Sequence, residues 1–245
     1  GRPTLDNHAT LLVIGTLALG SLIQGIAGFG LGLFAMGLLA TLLPVSEAVV
    51  TVALVGLAST AYNLWSVRGS VSWPDTWPVL VTSIPAAALG AYWMPRLPAD
   101  WLKRALAGMI LLGCCATFGT GELDRLGRSA PWAYLAGAIG GLWGGALNVG
   151  GPPAVLYTLW RGWDKHRAKA VLSAYFFASS LVRVPTHFVT GAATPQIVAR
   201  SLVALPCALL FTHLGTRVFQ RLTNRDFDYA TLALLVAMSI QMLLP

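Results

Sequence analysis

The fold is decided by two stretches: residues 25–32, which read Gly-Ile-Ala-Gly-Phe-Gly-Leu-Gly, and residues 144–153, which read Gly-Gly-Ala-Leu-Asn-Val-Gly-Gly-Pro-Pro. Each interrupts an apolar region, residues 8–43 and residues 131–160, that is too long for one membrane helix. Glycine loses the most conformational entropy in a helix, and proline removes a hydrogen-bond donor. We therefore predict that each region forms two helical pieces that meet at a break, the second piece being short.

The overall composition is that of a membrane protein. Of the 245 residues, 56% are hydrophobic and 10% are charged, and the mean hydropathy is +0.70. A soluble domain carries about 25% charged residues, so this chain has too few charges to cover a water-exposed surface. Three cysteines provide no disulfide framework. The net charge of +7 lies in short clusters between apolar runs, where membrane topology explains it better than nucleic-acid binding does.

The order of apolar segments repeats along the chain. Six further runs have the length of a single span, and they are residues 47–67, 76–94, 104–120, 168–189, 196–218 and 228–244. A broken pair followed by three long helices thus occurs twice, and a shift of 120 residues pairs Gly25 with Gly145 and Ser59 with Ser179. We predict an all-α polytopic membrane protein of two repeats, residues 1–120 and 130–245, joined by a loop at residues 121–129.

The number of spans predicts the orientation of each repeat. A broken pair returns the chain to its starting side, and three further spans end the repeat on the opposite side, so the second repeat has inverted topology. Of the 16 Lys and Arg residues, Arg183 lies within a span, five fall on the side of the termini and ten on the other side. The positive-inside rule makes the more basic side cytoplasmic, which predicts that both termini are periplasmic.

The residues around the two breaks follow one pattern. Gly25-Ile26-Ala27-Gly28-Phe29-Gly30 and Asn148-Val149-Gly150-Gly151-Pro152-Pro153 each precede a short helix, and then an alanine- and hydroxyl-bearing helix start at residues 48–51 and 168–173. From about residue 11 to residue 244, the chain resembles the TauE/SafE family of sulfite and organosulfonate transporters. The resemblance implies a secondary transporter of small anions such as sulfite or sulfoacetate, working outward across the bacterial inner membrane.

The breaks also predict where such an anion binds. A helix that begins inside the membrane presents unpaired N–H groups and the positive end of its dipole, and an oxyanion can accept hydrogen bonds from those groups. The alternative is that the glycines only allow close helix packing. The residues predicted to contact the substrate are Gln24, Gly28, Gly30, Gly32, Ser59, Asn63, Asn148, Gly150, Gly151, Ser179, Arg183 and His187.

Arg183 is the most informative of these residues because it lies well inside a predicted span. A charge there is costly and usually faces a cavity or a partner; Arg183 either contacts the anion, or snorkels or pairs with a carbonyl group. His187, one turn further on, either titrates during transport or is structural. Gln24 and Asn63 either donate to the substrate or hold helices together. The basic cluster at residues 161–169 is predicted to be a solvated cytoplasmic flank.

Enzyme chemistry has no support in the sequence. No spacing of His, Cys or carboxylate residues suggests a metal site, and the glycine motifs follow apolar helices, whereas a dinucleotide motif follows a strand. We predict that the protein has no cofactor and no metal. Its predicted partners are a small anionic substrate and membrane lipid, and not nucleic acid. The sequence does not determine the oligomeric state, and a homodimer is one of the alternatives. The remaining alternatives are a transporter of another small anion, such as a carboxylate, and a membrane sensor or enzyme that does not transport.

Overall fold

The computed structural model describes residues 7–98, 101 and 130–243, and within these ranges the chain forms nine α-helices and no strand. The helices are α1 (Asn7–Ala27), α2 (Leu31–Leu42), α3 (Val45–Val67), α4 (Trp73–Trp93), α5 (Ala130–Leu147), α6 (Gly151–Trp160), α7 (Lys165–Val189), α8 (Pro195–Arg221) and α9 (Asn224–Leu243). The predicted span at residues 104–120 and the predicted loop at residues 121–129 lie outside the described residues.

The helices have the character of a membrane protein. Three described stretches are long and apolar enough to cross a bilayer, namely Thr10–Ala27, Val45–Ser70 and Pro195–Arg221. These are fewer than the apolar runs predict. One reason is that α7 carries four Lys and Arg residues, which lower its mean hydropathy.

Exposed aromatic side chains mark both ends of α4. Trp73 and Trp77 are about 60% exposed near its start, and Tyr92 and Trp93 are about half exposed at its end. Trp73 and Trp93 are separated by about 30 Å along the helix axis, which matches the thickness of a bilayer's hydrocarbon core. Because Trp and Tyr concentrate at membrane–water interfaces, this spacing is typical of a full membrane span.

Both predicted breaks are present, and each is shorter than the sequence pattern suggests. The first comprises residues 28–30, with Gly28 at φ 83° and Gly30 at φ 113°. The second comprises residues 148–150, with Asn148 at φ 60°. L side chains other than Asn and Asp rarely adopt these positive φ values, so the breaks need glycine or asparagine there. As predicted, each is followed by a short helix, α2 with 12 residues and α6 with 10.

The helices of the two halves pack against each other in matching pairs. α1 packs against α8, and α5 packs against α4. α3 contacts α8, α7 contacts α4, and α3 and α7 contact one another. Glycines permit the closest approaches: a Cβ on Gly25 would collide with the Thr212 carbonyl oxygen of α8, and one on Gly145 with the Ala87 carbonyl oxygen of α4. Small residues serve this purpose in membrane bundles generally.

Two ion pairs also join helices from different halves of the chain. Arg167 in the first turn of α7 pairs with Asp75 in the first turn of α4. Arg200 near the start of α8 pairs with Glu47 near the start of α3, with 3.6 Å between Nη1 and Oε2. Each pair therefore joins the first long helix of one half to the second long helix of the other.

Candidate functional site

A small cavity lies where the two breaks meet. Its volume is about 30 Å³, room for roughly two water-sized groups, so it suits a ligand of few atoms. Polar side chains contribute to its lining from α1, α3, the second break and α7, and they are Gln24, Thr60, Asn148, Ser180 and Arg183. Residues of the first break and of the first turns of α2 and α6 also line it, together with apolar residues of α3 and α7.

The two breaks are in direct contact at this cavity. Gly32, in the first turn of α2, lies so close to the second break that a Cβ on it would collide with the Asn148 carbonyl oxygen. A Cβ on Gly151, the first residue of α6, would lie 3.2 Å from the Leu33 side chain and 3.5 Å from the Phe29 side chain. Residues 28–32 and 148–152 therefore face each other.

The first turn of α2 provides most of the backbone donors. The first intrahelical bond runs from the Phe34 N–H to the Gly30 carbonyl oxygen, 2.9 Å. Residues 31–33 line the cavity, and their N–H groups have no partner within the helix and lie at its positive end. In α6, Pro152 and Pro153 follow Gly151 and have no N–H. The two breaks are thus unequal, and α2 is the richer source of hydrogen bonds for an anion.

Arg183 places a full positive charge at the cavity. The residue is 6% exposed. Its Nη1 donates to the Gly144 carbonyl oxygen in the last turn of α5, and its Nη2 donates to Ser180 Oγ, both at 2.8 Å. Its Nε has no hydrogen-bond partner among the described residues. No described carboxylate is buried, so within this part of the chain no buried acidic side chain competes with an anion for the guanidinium.

Asn63 makes the corresponding bond in the first half. Its Nδ2 donates to the Gln24 carbonyl oxygen in the last turn of α1, 2.9 Å, much as Arg183 donates to Gly144 in α5. Asn63 precedes Arg183 by 120 residues, and Gln24 precedes Gly144 by the same number. Thr216 of α8 donates to Asn63 Oδ1, 3.4 Å. Asn63 therefore bonds α3 to α1 and α8 and does not line the cavity.

The predicted substrate contacts fall into two sets. Those that line the cavity are Gln24, Gly30, Gly32, Asn148, Gly151 and Arg183, and those that do not are Gly28, Ser59, Asn63, Gly150, Ser179 and His187. Gly28 contacts Lys169 instead, and the Gly150 carbonyl oxygen accepts a hydrogen bond from the Tyr175 hydroxyl, 3.2 Å.

At two positions a neighbouring hydroxyl residue lines the cavity in place of the residue predicted to do so. Thr60 and Ser180 line it, whereas their neighbours Ser59 and Ser179 were predicted to. Ser179 and Ser180 lie four and three residues before Arg183, and both spacings are compatible with a shared helix face. Spacing alone therefore does not distinguish between them.

The prediction of a solvated flank at residues 161–169 is wrong for two of its lysines. Lys165 Nζ donates to the Phe219 carbonyl oxygen at the end of α8, 3.2 Å. Lys169 is fully buried; its Nζ donates to the Gly25 carbonyl oxygen near the end of α1 and lies 4.0 Å from the Phe219 ring centroid. The carbonyl groups at a helix C-terminus carry partial negative charge, which lets both lysines be buried there.

Apolar helices that break around a buried cationic cavity are the arrangement of a membrane transporter for small anions. Comparison with known proteins agrees: the family described as sulfite exporter TauE/SafE matches residues 12–242. The chain therefore belongs to the TauE/SafE family, whose members are transporters and not enzymes. A relative from Cupriavidus necator, described as a probable sulfite/organosulfonate exporter TauE, is 24% identical over 202 residues, which cover 78% of this chain and 77% of the relative. No solved structure matches the chain.

Proposed function

We propose that this chain exports a small sulfur-containing anion, sulfite or an organosulfonate, across the bacterial inner membrane and binds it in the cavity between the two breaks. The observation that carries the proposal is that Arg183 and residues 31–33, whose N–H groups have no partner within α2, line the same small cavity. The family and the Cupriavidus relative support the substrate class.

The lining groups match the chemistry of an oxyanion. An anion that enters the protein loses its hydration and needs charge-assisted hydrogen bonds in exchange. The planar guanidinium of Arg183 suits two oxygens of one ligand, and N–H groups at the start of α2 suit a third. Thr60 and Ser180 add hydroxyl groups to the same lining.

Reciprocal contacts support the proposal of two inverted repeats, residues 1–120 and 130–245. The bond from Asn63 to α1 corresponds to the bond from Arg183 to α5, and the ion pairs of α7 with α4 and of α3 with α8 correspond in the same way. In transporters of this kind, alternating access is largely a rocking of one repeat or bundle against the other around a fixed site.

Flux measurements on proteoliposomes test the proposed function. Vesicles containing the purified protein and loaded with sulfite are expected to release it faster than protein-free vesicles, and sulfoacetate is expected to compete. Acetate at the same concentration serves as the matched carboxylate. Competition by acetate as strong as that by sulfoacetate would favour a carboxylate transporter, and the absence of any flux would favour a sensor.

A further inference from the structure

One face of α7 passes the cavity and continues beyond it in both directions. Its residues are separated alternately by four and three positions, so they lie within about 40° of one line along the helix. They are Lys169, Ser173, Phe176, Ser180, Arg183 and His187. From the first to the last, this face extends about 27 Å along the helix axis, close to the thickness of a bilayer's hydrocarbon core.

Only the middle of this face lines the cavity, through Phe176, Ser180 and Arg183. Ser173, towards the start of α7, is fully buried, and His187, towards its end, is 1% exposed. The Ser173 hydroxyl and both ring nitrogens of His187 have no hydrogen-bond partner within the described ranges. Burying polar groups without partners costs free energy. Contact with water or an anion at another stage of the transport cycle would supply these groups with hydrogen-bond partners.

Lys169 lies one turn inside the start of α7. Its Nζ donates to the Gly25 carbonyl oxygen, and its side chain packs against the first break, where a Cβ on Gly28 would lie 3.0 Å from Lys169 Cγ. The Lys169 ammonium group also lies 4.0 Å from the Phe219 ring centroid, and the Lys165 ammonium group lies 5.0 Å from the same centroid. An oxyanion would be a stronger partner for the ammonium group than a neutral carbonyl, because hydrogen bonds between two charged groups are the strong ones.

We propose that the route of the anion through the protein follows this face of α7, with a second anion-binding station at Lys169 and Ser173 and with His187 lining the route on the opposite side of the cavity. The inference rests on the proposed function of the cavity. In the conformation described, Lys169 Nζ is hydrogen-bonded to the Gly25 carbonyl oxygen. The second station therefore opens when the end of α1 moves away from α7 during alternating access.

Cysteine labelling tests the route. In a background with Cys114, Cys115 and Cys207 replaced by serine, single cysteines are exposed to 2-sulfonatoethyl methanethiosulfonate, a membrane-impermeant thiol reagent that is itself an organosulfonate. Ser173→Cys and His187→Cys are expected to react at least tenfold faster than Leu172→Cys, which is equally buried but lies off the face. Sulfoacetate is expected to slow both reactions several-fold, because it occupies the same route.

Ser180→Cys separates failure of the route from failure of the site. If Ser180→Cys reacts and is protected while Ser173→Cys reacts as slowly as Leu172→Cys, the cavity binds the anion but the route does not follow α7. If Ser180→Cys is also unreactive, the proposed site fails together with the route.

A pair of lysine variants tests the second station independently. Lys169→Gln removes the charge but leaves the cavity lining unchanged, so the dissociation constant for sulfoacetate is expected to stay within threefold of the parent while the flux rate falls at least tenfold. Lys169→Arg, which keeps the charge, is expected to restore much of the rate. Transport by Lys169→Gln at the parental rate would overturn the second station, and if this variant does not fold, the labelling rates still decide.

Discussion

Replacing Arg183 by Gln removes a buried guanidinium from the cavity lining while keeping a side chain that can donate a hydrogen bond. Arg183 is 6% exposed, and no described carboxylate is buried beside it, so an anion bound there would be its principal counter-charge. Removing one member of a buried charge pair costs about 2–5 kcal/mol, which corresponds to affinity weakened about 30- to 5,000-fold. Arg183→Lys keeps the charge and loses the planar fork, so its affinity is expected to fall between those of Arg183→Gln and the parent.

Titration calorimetry with sulfite under anaerobic conditions measures this order directly. Arg200→Gln is the matched control, because Arg200 is a partly buried arginine that pairs with Glu47 and does not line the cavity. Its affinity for sulfite is expected to equal that of the parent. If Arg183→Gln binds sulfite within threefold of the parent, the reasoning is refuted, and Arg183 serves only to bond Ser180 and the end of α5.

Three further predictions concern the breaks and the orientation. Gly32→Ala is expected to lower the free energy of unfolding by about 1–3 kcal/mol and to weaken sulfite binding, because its Cβ would collide with the Asn148 carbonyl oxygen. The control is Gly56→Ala, whose Cβ would lie 3.5 Å from a Leu31 side-chain carbon. This variant should unfold near the parental temperature. Asn148→Ala loses the 2.7 Å hydrogen bond from Nδ2 to the Val49 carbonyl oxygen and must also hold φ at 60°. Thermal unfolding should therefore show a free energy of unfolding lowered by about 1–3 kcal/mol. The decrease should be smaller for Asn148→Gly, because glycine tolerates a positive φ. Alkaline phosphatase fused after residue 245 should be active, since the basic loops favour a periplasmic C-terminus, and an inactive fusion would reverse the orientation.

The breaks were predictable because their cause is local. Glycine and asparagine tolerate positive φ and proline stops the preceding turn, so Gly28, Gly30 and Asn148 mark the breaks in the sequence itself. The side chains that reach the cavity depend instead on the rotation of α3 and α7, which packing against distant helices decides. That is why the sequence predicts Ser59 and the structure brings Thr60 to the cavity.

The burial of Lys169 was not predictable for a similar reason. A lysine in a basic cluster before an apolar run is typical of a solvated flank. Its partner, the Gly25 carbonyl oxygen, lies 144 residues away, and the sequence gives no sign that the end of α1 reaches α7. The proposed duplication has no single register along the sequence. A shift of 120 residues relates α1 to α5, but the contacts of Gly90 with Leu142 and of Gly215 with Leu22 relate α4 to α8 by a shift of 125.

The bond from Asn63 to α1 and the bond from Arg183 to α5 occupy equivalent positions, yet only one of them carries a charge. A transporter made of two identical inverted repeats has the same free energy whichever side of the membrane it opens to. It therefore has no intrinsic preference between its two open states. Such a preference has to come from positions where the copies have diverged. In the proposed pair of inverted repeats, the asparagine opposite the arginine is one such position, and we expect the loaded and the empty protein to differ in which open state they favour.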